Sequence, residues 1–378
     1  MRIAMDNQLM QDFNSLYFSK KQISRRIFEK EELGKIWETI QGERLKLSKK
    51  NNCDFKPITD YWFNNTESID SNIEFINEAN NLGVFNYISS KIKDNLNKSA
   101  ESLEISQLLS LNDIEISEKK INDIINIINN SNIIDEDFLC NLYNIIEMED
   151  LEPDKINKVN SKNKYSISRI IEDGHNIENL LLLMNKYEEK SILTKAAVIH
   201  LYVIINNPFI KHNAIISELL TYKYLLINGY EVIKYCSISP LIKEKLKKYN
   251  TAIENSLYSN GDITYFIKFY LDILRNSIEV LNMELNYKFG KKILKELIEK
   301  NDVKLEERCM KFINSVLTSK NNVVTIDDYK KKLNVSYETA RSDLNYLVTL
   351  GFFRIAKSGK RYEYYKNDIS TIVDNFEE

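Results

Sequence analysis

KAAVIHLYVIINNPFIKHNAIISELLTYKYLLINGY, residues Lys195 to Tyr230, is the stretch that decides the fold. An apolar run from Ala196 to Ile205 is broken by Asn206-Asn207-Pro208-Phe209. A second apolar run, Ile215 to Ile227, closes on Asn228-Gly229. Pro208 has no backbone N–H and disfavours a helical Asn207, so the first helix ends near Asn207. Gly229 suits the position just past a helix C-terminus, so the second helix stops there. Two buried helices joined by a short polar turn form the centre of a helical domain.

The chain around this centre has 378 residues, enough for two or three domains with cores of their own. A formal net charge of -3 argues against a nucleic-acid footprint spread over the whole chain, while leaving room for a basic patch in one segment. Cys53, Cys140, Cys236 and Cys309 are far apart and form no Cys-x-x-Cys pair. That spacing points to buried thiols in a reducing compartment, not to disulfides or zinc. No basic-then-apolar leader opens the sequence and no uninterrupted run of eighteen apolar residues occurs, so a cytoplasmic protein without membrane contact is expected. Nine glycines and four prolines point to helices with short connections.

Outward from the centre, residues 5–50 read as helix segments, with the basic cluster Lys20 to Arg26 as a solvated face. A helix is expected over Ser68–Ala79, and several more between Ser99 and Glu149, one of them capped by Asp135 or Asp137. Residues 150–165 form a polar connection. Tyr165–His175 then reads as a short hairpin turning at Asp173-Gly174, followed by a helix from about Ile177. Beyond the centre, Gly261-Asp262-Ile263-Thr264 caps a long helix whose stripe of Tyr265, Phe266, Phe269, Tyr270 and Ile273 belongs to the core.

The C-terminal region has an order of its own. Glu306–Leu317 reads as a helix, Thr325 caps a second, and Ser336 precedes a third over Tyr337–Leu347. Phe353–Ala356 and Arg361–Tyr365 form a β pair joined by Lys357-Ser358-Gly359-Lys360. This order resembles a winged helix-turn-helix domain. Residues 311–366 hold eleven Lys/Arg against five Asp/Glu, a net of +6 in a chain that is slightly negative overall. The resemblance implies that Tyr337, Glu338, Thr339 and Arg341 face a groove, while Lys357, Lys360 and Arg361 lie near phosphates. Winged helices also serve protein interaction and dimerisation, so DNA, a protein partner and a homodimer all stay open.

The central stretch resembles the Fic family of nucleotidyl transferases, in which an apolar helix bearing a His is followed by HPF-x-(D/E)-GNGR-x-x-R. His200 lies seven residues before Asn207, which stands at the motif His. Pro208, Phe209 and Asn213 match the motif. Lys211 takes the acidic position, His212 and Ala214 replace the glycines, and Ile215 and Glu218 replace the arginines. Asp70-Ser71-Asn72-Ile73-Glu74-Phe75 is similar to the inhibitory SS-x-IEG helix of many members, with Glu74 at the inhibitory glutamate. The hairpin at Tyr165–His175 is similar in place and size to the family's flap. The fold implied is an all-α Fic-like helical core with a small β-hairpin flap, plus the C-terminal winged helix-turn-helix domain. It divides the chain into an N-terminal helical region (1–98, with the inhibitory-type helix at about 68–79), the core (99–284), a linking helix (285–304) and the winged helix (305–378).

In that family the motif His is a general base, the acidic residue holds Mg²⁺, the GNG backbone cradles phosphate, and the arginines neutralise it. Asn207 has no titration near neutral pH, so it cannot deprotonate a hydroxyl. Lys211 repels a divalent cation that needs hard oxygen ligands. Side chains at 212 and 214 crowd a cradle that glycines leave open. Ile215 offers no charge-assisted bond to phosphate and Glu218 opposes one. His212 remains as a displaced candidate base, and Lys211 and Asn213 as remnants of a nucleotide-binding turn. The reading is a catalytically inactive or impaired Fic-like regulator or interaction module, needing no cofactor or metal. The alternatives are a transferase with a non-standard site using ATP and Mg²⁺, and a transcription regulator with a Fic-like sensor.

Overall fold

Apolar residues at helical spacing, with few glycines or prolines to interrupt them, produce a chain of helices and one three-stranded antiparallel sheet. The computed structural model describes residues 12–27, 30–50, 61–81, 90–147, 170, 174–185, 191–284, 290–317, 319, 322–358 and 361–377. Two compact units result. The first comprises Met1–Ile76, Glu101–Ile233 and Ser237–Arg275, the second Asn77–Ala100, Lys234–Cys236 and Asn276–Glu378. The hairpin expected at Tyr165–His175 falls outside the described residues except for Ile170, Gly174 and His175. Gly174 and His175 already belong to a helix, three residues before the expected start at Ile177.

Besides a short helix at Lys20–Ile23, the helices of the first unit are α1 (Lys30–Lys50), α2 (Glu67–Asn81), α3 (Ser90–Leu111), α4 (Glu118–Asn130), α5 (Glu136–Glu147), α6 (Gly174–Asn185), α7 (Ile192–Asn206), α8 (Asn213–Ile227), α9 (Ser239–Glu244), α10 (Leu246–Leu257) and α11 (Thr264–Glu284), with α2, α3 and α11 each running on into the second. Asp135, not Asp137, caps α5: its Oδ1 accepts from Phe138 N at 2.8 Å. In α7 every residue from Leu193 to Val203 is buried, the pattern of a helix enclosed on all sides. It packs along α8, whose buried residues include Ile215, Ile216, Leu219, Leu220 and Tyr224.

Residues 12–18 and 61–64 close onto the start of α11 through polar bonds that a buried backbone requires. Trp62 N donates to Gly261 O and Ile263 N to Trp62 O, each at 2.9 Å. Thr264 Oγ1 donates to Asp262 Oδ1 at 2.6 Å, and Tyr17 Oη to Asp262 Oδ2 at 2.8 Å. Arg44, 1% exposed, donates to Phe13 O (2.9 Å), Phe18 O (3.2 Å), Asn14 Oδ1 (3.1 Å) and Tyr265 Oη (2.7 Å). Its guanidinium lies 3.9 Å from the centre of the Tyr17 ring. Burial pushes the Asp262 carboxyl up to about 6 against the lowering effect of its hydrogen bonds and of Arg44.

The second unit holds α12 (Gly290–Lys300), α13 (Glu307–Leu317), β1 (Val323–Val324), α14 (Ile326–Leu333), α15 (Tyr337–Thr349), β2 (Phe353–Ser358), β3 (Arg361–Lys366) and α16 (Ile369–Glu377). The sheet order is β1-β3-β2, antiparallel throughout, with Ile355 opposite Tyr364. Thr325 and Ser336 cap α14 and α15 as the sequence indicates; β1 and α16 carry no comparable signal. Arg308 on α13 grips Asp343 on α15 with two bonds, 2.7 and 3.1 Å, and Tyr329 on α14 donates to the same carboxylate at 2.9 Å. Three helices are thereby tied at one buried acid. At Gly351, with φ 75°, a Cβ would stand 2.5 Å from the Asn375 side chain, so the turn into β2 needs glycine. Cys140, Cys236 and Cys309 are buried; Cys53 lies outside the described residues.

Candidate functional site

Pro208 ends α7, and the turn that follows is held by its own side chains. Asn207 closes α7 in the left-handed region (φ 43°), its N–H donating to Val203 O at 3.1 Å and its side chain exposed. Phe209 is buried and stacks on Tyr143 of α5 at 6.3 Å between ring centres. Asn213 clasps the Phe209 backbone from both sides: Oδ1 accepts from Phe209 N at 3.0 Å and Nδ2 donates to Phe209 O at 2.6 Å. Ile210 N donates to Ile170 O at 3.0 Å.

The charges of the turn meet one acid. Lys211 Nζ lies 3.1 Å from Glu147 Oε1, and His212 Nε2 is in contact with Glu147 Oε2. Burial pushes the Glu147 carboxyl up, but hydrogen bonds and charge from His212 and Lys211 outweigh it and hold the group below the usual carboxylate range. His212 adopts φ 64°, a conformation that favours glycine, and makes no side-chain cap for α8. Among the described residues no group of three or more His, Cys, Asp or Glu is placed to hold a metal ion.

Two further positions singled out by the sequence lie in the core. His200 on α7 is 1% exposed and ringed by Tyr249, Phe266 and Tyr270, with ring centres 5.8, 5.5 and 5.4 Å away. Its Nε2 is 3.0 Å from Tyr249 Oη, and burial lowers the imidazole to about 3, so the ring is neutral. Glu218 on α8 bonds Ser239 Oγ at 2.6 Å, and the same hydroxyl is 2.6 Å from Glu104 Oε1 on α3. Glu104 also accepts from Ser239 N at 2.7 Å and from Ile238 N at 3.0 Å. These groups line a small cavity of about 20 Å³.

One hydroxyl has one proton to give, so Ser239 donates to only one of the two acids. Glu104, already accepting from two backbone N–H groups, is the ionised partner. Glu218 therefore carries a proton and donates it to Ser239. Burial, with the Glu104 charge adding to it, raises Glu218 to about 8 despite the Ser239 bond; burial raises Glu104 as well. Glu218 is half-buried and lines the cavity.

Sequence reasoning did not single out Glu104 or Ser239. Glu101, Glu104, Ile105 and Leu108 fall three and four apart, which puts two carboxylates on the apolar side of a helix; that is the signal that marks them. Glu74, expected as the inhibitory-type residue, is exposed on α2; the acid that meets Glu218 is Glu104. Helix α2 packs its other side on α11, where Asn72 donates to Asp272 at 2.7 Å and Arg275 covers Phe75.

In the second unit, Tyr337 and Arg341 are exposed on the first turns of α15, and Thr339 is taken up in the cap with Ser336. Tyr364 of β3 donates to Asn345 of α15 at 3.0 Å. Burial raises the Tyr364 hydroxyl and Arg341 pulls it down, with Tyr337 and Tyr362 also within electrostatic reach, so these residues share one face. Lys357 and Arg361 are exposed on β2 and β3. Lys360 lies outside the described residues. No helix among the described residues is long and apolar enough to cross a membrane.

No protein-family model matches the chain, and no curated protein matches it. Among solved structures the chain is similar to a Fic family protein from Desulfovibrio desulfuricans G20, at a TM-score of 0.39 and 13% sequence identity, over 80% of this chain and 97% of that one.

Proposed function

We propose that the chain is a Fic-like scaffold without transfer chemistry, joined to a winged helix-turn-helix module that contacts DNA, and that it acts as a regulator. The observation that carries the first half is the saturated turn. Transfer of a nucleotidyl group needs a base near neutral pH, a carboxylate for Mg²⁺, converging N–H donors and cations for the phosphates. At those positions stand Asn207, Lys211, Ala214, Ile215 and Glu218. Asn213 is spent on the Phe209 backbone, and Lys211 and His212 are both spent on Glu147. The left-handed backbone at His212, where the Fic motif has glycine, supports a retained frame with replaced chemistry. Incubation of the purified chain with labelled ATP and Mg²⁺ or Mn²⁺ tests this. No label on the chain or on lysate proteins is expected, also for Asn207→His, because one restored base leaves metal and phosphate unheld. Label transfer by the wild type would refute the reading.

For the second half, the support is the order helix, strand, helix, helix, strand, strand, the sheet order β1-β3-β2, and the face formed by Arg341, Tyr337 and Tyr362. A helix with exposed N-terminal side chains beside a β hairpin fits a major groove, with Lys357 and Arg361 toward phosphates. Fluorescence anisotropy with duplex DNA at rising salt tests it. The expected affinity falls steeply with salt, and Arg361→Ala lowers the slope by about one counterion. Salt-independent binding, or none at low salt, would leave a protein partner for this face.

A further inference from the structure

The acids around Ser239 lack a counter-charge. No basic side chain touches Glu104 or Glu218 among the described residues, and a third acid, Glu101, borders the same cavity, bonded by Tyr222 Oη at 2.8 Å. His200 also lines the cavity. Its Nε2 is taken by Tyr249, and its buried Nδ1 has no protein partner. With Nε2–H donated to Tyr249, Nδ1 offers a lone pair. The remaining lining is apolar, chiefly Ile105, Leu108, Ile238 and Ile242. The whole cavity has room for about one water-sized group. A buried polar atom without a partner and a pair of acids without a cation are each costly, and one hydrogen-bond-donating cation would relieve both.

We propose that this cavity binds the head of a small primary amine as its ammonium ion, with the charged group among Glu104, Glu218 and His200 and the carbon chain leaving through the mouth. An ammonium group is about the size of a water and brings three donors, for two carboxylates and one imidazole nitrogen. Binding replaces the proton on Glu218: the acid ionises, its proton leaves to solvent, and the ammonium keeps all of its own. Glu218 is raised to about 8 while empty, so below that pH the exchange costs protonation energy and affinity climbs with pH. The titratable groups facing Glu218 are Glu101 and Glu104 on α3, His200 on α7, Tyr222 on its own helix, Tyr249 on α10 and Tyr270 on α11. Of these His200 is already neutral and the tyrosine hydroxyls of Tyr249 and Tyr270 are pushed up by burial, while Glu104, also raised by burial, shares the proton with Glu218 through Ser239. The site is independent of the proposed DNA contact and of the inactive turn.

The test is calorimetry on the full chain with n-butylammonium chloride in two buffers of different ionisation heat. The expected result is millimolar or tighter binding that releases close to one proton at neutral pH, with affinity gaining up to about tenfold per pH unit between about pH 6 and 8. Butyrate and 1-butanol, of matching length, should give no heat. Glu218→Gln keeps the bond to Ser239 but cannot ionise, so it should abolish the proton release and weaken binding at least about tenfold. Should that variant not fold, the two-buffer measurement on the wild type decides. Binding without proton release, equal binding of 1-butanol, equal competition by potassium chloride, or no heat at millimolar amine would each overturn the proposal.

Discussion

The Asn207–Asn213 turn and the Glu104–Glu218 cavity are built on the same helix, α8, and treat charge in opposite ways. At the turn, one acid meets both Lys211 and His212, and the Lys211 side chain is 61% exposed, so water would solvate it anyway. Such pairs contribute little to stability. In the cavity, two acids face each other with a single hydroxyl between them, and the protein solves the conflict by keeping one neutral. The cavity is complete only while a proton, or another cation, stays in place.

Four measurements sharpen or break that contrast. The largest effect belongs to the turn's apolar anchor: Phe209→Ala should lower unfolding free energy by about 3–5 kcal/mol in urea titrations, since the ring is buried against Tyr143. Next comes the pH dependence of the cavity. The folded chain holds a proton on Glu218 that the unfolded chain releases, so this stabilisation is full below about pH 4.5 and fades as pH rises through about 8. Thermal melts across that window should show the wild type losing stability with a slope below the one-proton limit of about 1.4 kcal/mol per pH unit. In Glu218→Gln that component of the slope should vanish, and an unchanged profile would show that Glu218 is not the protonated acid. Third, Asn213→Ala should cost about 1–3 kcal/mol, because it strands the Phe209 N–H and carbonyl. The smallest effect is Glu147→Ala, within about 1 kcal/mol and fading in high salt. A loss as large as that of Phe209→Ala would mean that the turn's ion pairs are not the surface interactions described.

The parts that a linear reading could find are those marked by local chemistry. Pro208 and Asn207 fix the end of α7, Asp135 caps α5, and Thr325 and Ser336 start α14 and α15, because each of these effects acts within four residues. The cavity escaped notice because its members meet only in three dimensions: Glu104 and Ser239 are 135 residues apart. The acid-bearing apolar face of α3 was visible as spacing, but nothing in the spacing says which residue lies opposite. β1 has two residues and no pattern of its own; it exists because β3 supplies the partner, Val324 against Tyr364. The Asn207–Asn213 turn illustrates the same limit from the other side. Its residue types are legible one by one, yet that Glu147 would take up both Lys211 and His212 depended on where α5 lies.

Arg44 carries a consequence for the order in which the chain is made. Its guanidinium finds Phe13, Asn14 and Phe18 early, but the bond to Tyr265 Oη spans 221 residues. At a synthesis rate of roughly 5–20 residues per second, that partner leaves the ribosome on the order of ten to forty seconds later. Until then the N-terminal helices present an Arg44 short of one bond and the bare face that α11 will cover. A nascent chain of this protein should therefore stay vulnerable to proteases and dependent on holding chaperones until its last third has emerged, even though its first fifty residues contain helices of their own.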